Sequence, residues 1–289
     1  MIDLANKSKL ISKLVFVIGF VLCAYPLASN LIESFYHRDA VNTYNMKVSD
    51  TDAQTLKEGY KKAEDFNKAL YDQRKSAATI GTANPMLSED NYNSTLNMGN
   101  GVMGSIEIPK INVNLPIYHG TSDEVLSVGV GHVYGSSFPV GGTNTRSVLT
   151  GHRGLPNAKL FTRLDEIVKG DLFFVKVFGE TLAYKVNDIK LIDPKDVDAV
   201  GVVDGKDIVS LITCTPYGIN THRLVVSGER VPFEKDVYDS IKPGKMSFRE
   251  ILFASIPFAF GGIVVVPKVM NIVRNKKKGD NLENEVKED

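Results

Sequence analysis

Two long apolar runs bracket a chain whose middle alternates between polar and apolar positions. The first run, residues 14–32 (LVFVIGFVLCAYPLASNLI), carries no charge and has roughly the length needed to cross a hydrocarbon core. Lys7, Lys9 and Lys13 precede it and Glu33 follows. Basic flanks stay on the cytoplasmic side, so the chain should leave this span outward. A cleaved signal peptide cut near Ala28 or Ser29 is the competing reading, against which stands the length of the run. The second run, residues 251–273, is uninterrupted only to Val266. Lys268 can extend its stem and set its ammonium at the headgroups. Arg274, Lys276, Lys277 and Lys278 follow and argue for a cytoplasmic end, over the alternative of a buried C-terminal helix. The pattern predicts a two-pass protein of the cell membrane: both termini inside, residues 33–249 outside.

Within the exterior part, residues 33–75 read as helix. Leu56, Tyr60, Ala63, Phe66 and Leu70 recur at spacings of three and four, an apolar stripe that can pack on a domain. It is too short for a coiled-coil seam. Ser49, Asp50 and Thr51 are N-cap candidates. The pattern then fails over 76–101, rich in Asn, Ser, Thr and Gly, which reads as a long irregular loop. From 102 to 235 short alternating runs dominate, for example Phe173, Val175, Val177 and Tyr184, Val186, Ile189. The Gly179-Glu180 step marks a hairpin, and one short helical element is expected around residues 160–168. Many strands and little helix predict a closed or sandwiched β domain. Residues 236–250 then form a linker, and 274–289 a charged cytoplasmic tail, disordered beyond Lys278.

Composition changes this picture little. The 289 residues are 43% hydrophobic and 24% charged, with 34 acids balancing 34 bases. A neutral chain gives no reason to expect nucleic acid as a partner. Cysteine use is more informative. The chain has only Cys23, inside the first span, and Cys214, so the exterior domain has no disulfide framework and carries one free thiol. Such a thiol is either a small buried hydrophobe or a reactive group.

Cys214 ends the apolar run at 208–212 and is followed by Thr215, Pro216, Tyr217 and Gly218, a strand-to-turn signal. A thiol at a strand rim is fixed yet reachable. Its thiolate needs a base or cation nearby. Of five histidines, His37 lies in the first helical segment. His152 lies at another strand rim, between Gly151 and Gly154, where missing side chains permit close approach. Arg223 opens the strand after the turn and would flank it together with Cys214, as a permanent cation able to donate to an oxyanion. His222 would alternate to the opposite face. An ordinary structural histidine and a solvated arginine are the bland readings of these positions. One exterior cysteine and scattered histidines lack metal-ligand spacing, so no metal or cofactor is expected.

The motifs TGHRG at 150–154 and TCTPYGINTHR at 213–223 resemble those of sortases, specifically the pilus-assembling class C. The resemblance extends through 108–122, 129–142 and 154–166. It implies a mainly β fold, an eight-stranded sortase barrel with N-terminal helices, a lid loop and two flanking transmembrane helices. It implies Cys214 as nucleophile, His152 as second catalytic residue and Arg223 as third. The reaction implied is cleavage of an LPXTG-like sorting signal between Thr and Gly, through a thioacyl enzyme, with transfer to a lysine amine of another pilin subunit in a Gram-positive envelope. Class C lids usually carry Asp-Pro-aromatic. This chain offers Asn84-Pro85-Met86, without the carboxylate or the ring, so a more weakly held lid is expected. Alternatives are a sortase that attaches surface proteins to cell-wall peptide, another cysteine acyltransferase with different local motifs, and a non-catalytic membrane-tethered binding barrel.

Overall fold

The computed structural model describes residues 2–75, 84–154 and 159–288. Of the expected lid loop, residues 76–83 lie outside that range. The chain divides into two compact units, residues 1–29 with 246–289, and residues 30–245.

Helix α1 (Ile2–Asp50) is continuous through Pro26, and α2 (Ala53–Lys75) follows after a two-residue break. The cap of α2 is Asp52, rather than Ser49, Asp50 or Thr51: its carboxylate accepts the Thr55 N–H at 2.9 Å and the Thr55 hydroxyl at 2.6 Å. A carboxylate at this end meets both the orphan N–H groups and the positive pole of the helix. On α2 the predicted stripe is the packed face, with Ala63, Phe66 and Leu70 buried. Phe66 packs at a tilt against Phe138, ring centroids 4.7 Å apart, and Asn67 both donates to the Phe138 carbonyl and accepts from its N–H. Tyr60 donates to the Val140 carbonyl at 2.6 Å.

The 84–101 stretch is more ordered than its polar composition suggests. A 3-10 turn (Pro85–Leu87) leads into α3 (Glu89–Ser94), capped by Ser88. Tyr92 and Leu96 from this region are buried in the main core.

Eight strands close a barrel. They are β1 (Val102–Ile108), β2 (Val113–His119), β3 (Val130–His132), β4 (Thr145–Thr150), β5 (Leu172–Val177), β6 (Glu180–Ile192), β7 (Asp207–Thr215) and β8 (His222–Val231). Their order around the barrel is β1-β2-β3-β4-β7-β8-β6-β5. β2–β3 and β4–β7 are parallel, the other pairs antiparallel. Closure leaves no free edge. The short α4 (Asp123–Val128) lies between β2 and β3, and the element expected at 160–168 is a 3-10 turn, Leu164–Glu166.

The β5–β6 hairpin turns on Phe178 and Gly179, both at positive φ, one residue earlier than the Gly179-Glu180 step. A two-residue turn of this hand requires φ > 0 at both central positions. The odd spacing from Val186 to Ile189 is a bulge at Asn187, where the register with β8 shifts. Phe173 and Tyr184 stack inside the barrel at 5.5 Å. Phe174 points the other way and is covered by Tyr238 of α5 (Lys235–Ser240), ring centroids 4.9 Å apart. The stretch expected as linker therefore docks on the barrel, and the Gly244 N–H donates to the Pro109 carbonyl.

In the other unit, α6 (Phe248–Glu288) is one helix, so the tail beyond Lys278 is helical rather than disordered. Glu, Lys and Leu recur along its end, which carries no proline, and they cost little in a helix. Leu10–Asp50 and Phe248–Asn275 are each long and apolar enough to cross a membrane, and the most apolar windows are 0% and 6% buried. A buried C-terminal core helix does not describe the second.

Candidate active site

β7 is a strand with two different faces. Val209 and Leu211 belong to the barrel core, as do Leu224 and Val226 on β8. Side chains alternate along a strand, so Ser210, Ile212 and Cys214 face outward. Cys214 pairs directly with Arg223 across the β7–β8 ladder, and Thr215 with His222. Directly opposed residues share a face. Cys214 and Arg223 therefore stand side by side on the outer surface, both half-buried, and His222 on the opposite one, exposed. The Arg223 guanidinium folds over its own turn, donating from Nη1 to the Asn220 and His222 carbonyls at 3.2 Å each.

The end of β4 is tied to β7 beyond the last ladder pair, Thr150 with Ile212. The Gly151 N–H donates to the Ile212 carbonyl at 3.1 Å, and the Thr213 hydroxyl donates to the Gly151 carbonyl at 2.8 Å. Continuing the parallel register by one pair step brings His152 level with Cys214. Packing favours glycine here: a Cβ on Gly151 would sit 3.0 Å from the Phe161 ring, and one on Gly154, whose φ is +87°, 2.8 Å from the Tyr217 ring. Cys214, His152 and Arg223 thus occupy the same end of three consecutive strands.

Sequence reasoning did not single out Arg153. Its side chain is 5% exposed. It donates to the Thr215 hydroxyl at 2.9 Å and pairs with Asp165 at 2.5 Å, tying the loop after His152 to the strand end after Cys214. A guanidinium suits this bridge because its planar fork reaches two acceptors at fixed angles. The signal was available in the position of Arg153 next to His152, yet no spacing rule linked it to Thr215 or Asp165.

Two of the other histidines are held by hydrogen bonds. His132, 0% exposed, bonds through Nε2 with the Ser137 carbonyl and through Nδ1 with Tyr92 Oη. His119 has ring nitrogens 3.0 and 2.7 Å from the Gly101 and Thr95 carbonyls. His37 is buried on α1. Asn84 caps the 3-10 turn by accepting the Met86 N–H at 3.0 Å, and Asn91 donates to the Met86 carbonyl. Tyr134 donates to the Leu87 carbonyl at 3.2 Å, and Leu87 packs against the core. The hydrogen bonds that residues 84–87 make outside their own turn thus include those to Asn91 of α3 and to Tyr134.

Three comparisons bear on this arrangement. The sortase domain model matches residues 106–231. Sortase D of Bacillus subtilis is 33% identical over 215 residues, covering 73% of this chain and 98% of that protein. Among solved structures, sortase C1 of Streptococcus agalactiae is 42% identical with a TM-score of 0.62, covering 68% of this chain and 100% of that one. Sortase C of Streptococcus pneumoniae is 39% identical with a TM-score of 0.57, covering 68% and 97%, and its structure is described as bearing on catalysis and pilin substrate specificity. The strand order, the paired thiol and guanidinium and these likenesses agree: this chain belongs to the sortase family, and it is a cysteine transpeptidase of class C.

Proposed function

We propose that this sortase builds covalent pili outside the cell, held in the membrane by residues 14–32 and 251–273 with both termini in the cytoplasm. Its substrate is an LPXTG-like sorting signal on a pilin. The Cys214 thiolate attacks the Thr carbonyl carbon, and the oxyanion that forms lies against the Arg223 guanidinium. The C–N bond to Gly then breaks, and His152 gives the departing amine its proton, leaving a thioester on Cys214. A lysine amine of a second pilin attacks the thioester carbon, His152 takes the proton, and the C–S bond breaks to return the thiolate. Asn84, Pro85 and Met86 act as a lid secured by Asn91 and Tyr134 rather than by an ion pair with Arg223.

The observation that carries this reading is the direct pairing of Cys214 with Arg223 on the outer face, with the His152 loop bonded to the same strand. The pilin substrate specificity described for the pneumococcal relative favours a pilin as the substrate. The test offers the enzyme an LPXTG-type pilin peptide and looks by mass for a thioacyl adduct on Cys214. A second stage adds, in competition, a lysine-bearing pilin and a cell-wall peptide amine. Pilin conjugates are expected. Wall-peptide conjugates alone would make this an anchoring sortase instead, and absence of any adduct on Cys214 would refute the nucleophile assignment.

A further inference from the structure

The outer face of β4, β7 and β8 is buried although it lies outside the barrel. Val148, Ile208 and Val225 are 3%, 6% and 0% exposed, yet none belongs to the interior cluster. Ser210 and Ser227, opposed on this face, are equally covered and share a hydrogen bond of 2.9 Å.

Residues 193–206, between β6 and β7, provide the cover. This segment leaves β6 at Ile192, directly opposite Arg223. Its 3-10 turn (Val197–Val200) presents the Ala199 carbonyl to two cations at once. Arg146 Nη1 donates to it at 3.2 Å from β4, and Lys190 Nζ donates to it at 2.8 Å from β6. Those strands lie on either side of the β7–β8 pair, so one carbonyl bonded to both must stand above β7 and β8. Arg146 is level with Ile208, and Lys190 with Val225 and Ile212. The midpoint is the Ser210–Ser227 pair, whose small side chains leave room for a backbone to settle.

The seat is electrostatically costly to build and therefore specific. Burial pulls the Arg146 guanidinium below its ordinary range, countered by the carboxylate of Asp188, which is in register with Ser227. A second tie holds the far end of the segment, where Tyr71 and Lys75 of α2 donate to Asp204. Ser210 precedes Cys214 by four residues, ~13 Å along the strand. Between them lies Ile212, half-buried, on a strip of outer face bounded by the overpass at one end and by the thiol at the other. A four- or five-residue extended peptide spans about that distance.

We infer that Arg146 is a positioning residue for the sorting peptide: by fixing the Ala199 carbonyl above Ser210 and Ser227 it sets where the wall of the peptide site stands relative to Cys214. This rests on the reading of Cys214 as nucleophile. Arg146 touches no reacting atom, so its removal should act on peptide binding and leave the thiol chemistry intact. Arg146→Met keeps the length and removes the donors; Arg146→Lys keeps one donor.

The test uses the full chain in detergent micelles, with three readouts. For Arg146→Met, amide exchange over residues 197–203 is expected to speed up by at least tenfold. KM for an LPXTG-type peptide should rise about tenfold with kcat changed less than threefold. The rate of Cys214 alkylation by iodoacetamide should stay within twofold. Arg146→Lys should recover most of the KM. Unchanged exchange, an unchanged KM, or a loss confined to kcat would each overturn the inference. If Arg146→Met does not fold, Lys190→Met tests the same carbonyl and should give the same direction in exchange and KM. Failure of the nucleophile reading has a different signature: the parent itself forms no thioacyl adduct, while the exchange measurement still decides whether Arg146 holds the segment.

Discussion

The inner and outer faces of β4, β7 and β8 are buried to a similar degree at their centres and built on opposite rules. The inner face is mainly apolar, with Leu149, Val209, Leu211 and Val226 packed into one cluster with Phe161 and Phe173 and with Ser147 and Thr213 as buried polar positions among them. The outer face mixes Val148 and Val225 with Arg146, Ser210, Ser227, Cys214 and Arg223. The inner face is sealed by every other strand of the barrel. The outer one is covered by a single segment, tied by side-chain bonds to the Ala199 carbonyl at its 3-10 turn and to Asp204 at its far end. Because side chains alternate, one ladder can hold the fold on one side and carry chemistry on the other, with little energetic coupling between them.

That separation can be broken from either side. The largest expected effect is on the outer face. Cys214→Ala should lower transpeptidation by roughly 10⁴-fold or more, since no other group supplies the thioester. It should change the unfolding free energy by less than about 1 kcal/mol, because the residue is half-buried and outside the core. Paired assays of peptide cleavage and chemical unfolding check both halves. Phe173→Ala is the converse. This ring is 1% exposed, stacked on Tyr184, and fills the space left by Gly228, where a Cβ would sit 2.5 Å away. Its loss should cost about 3–5 kcal/mol of stability, with the activity of the molecules that remain folded nearly unchanged. Equal losses of stability in the two variants would show that the faces are not independent. Arg223→Lys comes next. Its charge survives while the fork is lost, so kcat/KM for a sorting peptide should fall about 10²-fold. A variant within threefold of the parent would leave the oxyanion to other donors.

The two faces also differ in how legible they are in the sequence. Inner-face residues announce themselves by period: Phe173, Val175 and Val177 are apolar at every second position, and the α2 stripe repeats at three and four. The catalytic candidates were legible for another reason, the local grammar of TGHRG and TCTPYGINTHR, which sets Cys214 and Arg223 on either side of one turn. What was hidden depends on contacts between distant segments. Arg153 meets Thr215 and Asp165, and Ala199 meets Arg146 and Lys190, pairs that no periodicity relates. α3 was hidden by composition, since Glu89–Ser94 is polar apart from Tyr92. The cap of α2 was misplaced by one residue, because Asp50, Thr51 and Asp52 are equally good acceptors until the chain direction is known.

The smallest expected effect concerns the one titratable ring of β3, and it sharpens the rule for the inner face. His132 lies two residues after Val130 of the core and opposite Leu149, so it points inward among Tyr92 and Phe138. With Nε2–H donating to the Ser137 carbonyl, Nδ1 is an acceptor facing the Tyr92 hydroxyl, whose one proton is shared between Nδ1 and the His132 carbonyl and whose oxygen accepts the Gly120 N–H. Both ring nitrogens are satisfied with the ring neutral. Burial, opposed by the Ser137 carbonyl and aided by nearby His119, pulls its pKa down to about 4. The unfolded chain, with an ordinary value of 6.5, binds the proton more readily than the folded one. The stabilisation is therefore complete above pH 6.5, and it is lost as pH falls toward 4. Between pH 7.5 and 5 the folded state should lose about 2 kcal/mol from this residue alone. His132→Gln keeps a donor for Ser137 and removes the titration. It should be less stable than the parent at pH 7.5 but lose about 2 kcal/mol less on going to pH 5. Chemical unfolding of both proteins at the two pH values decides the matter: equal losses would mean that the interior face tolerates a charged ring, and that the division between an apolar inner face and a polar outer one is less strict than the packing implies.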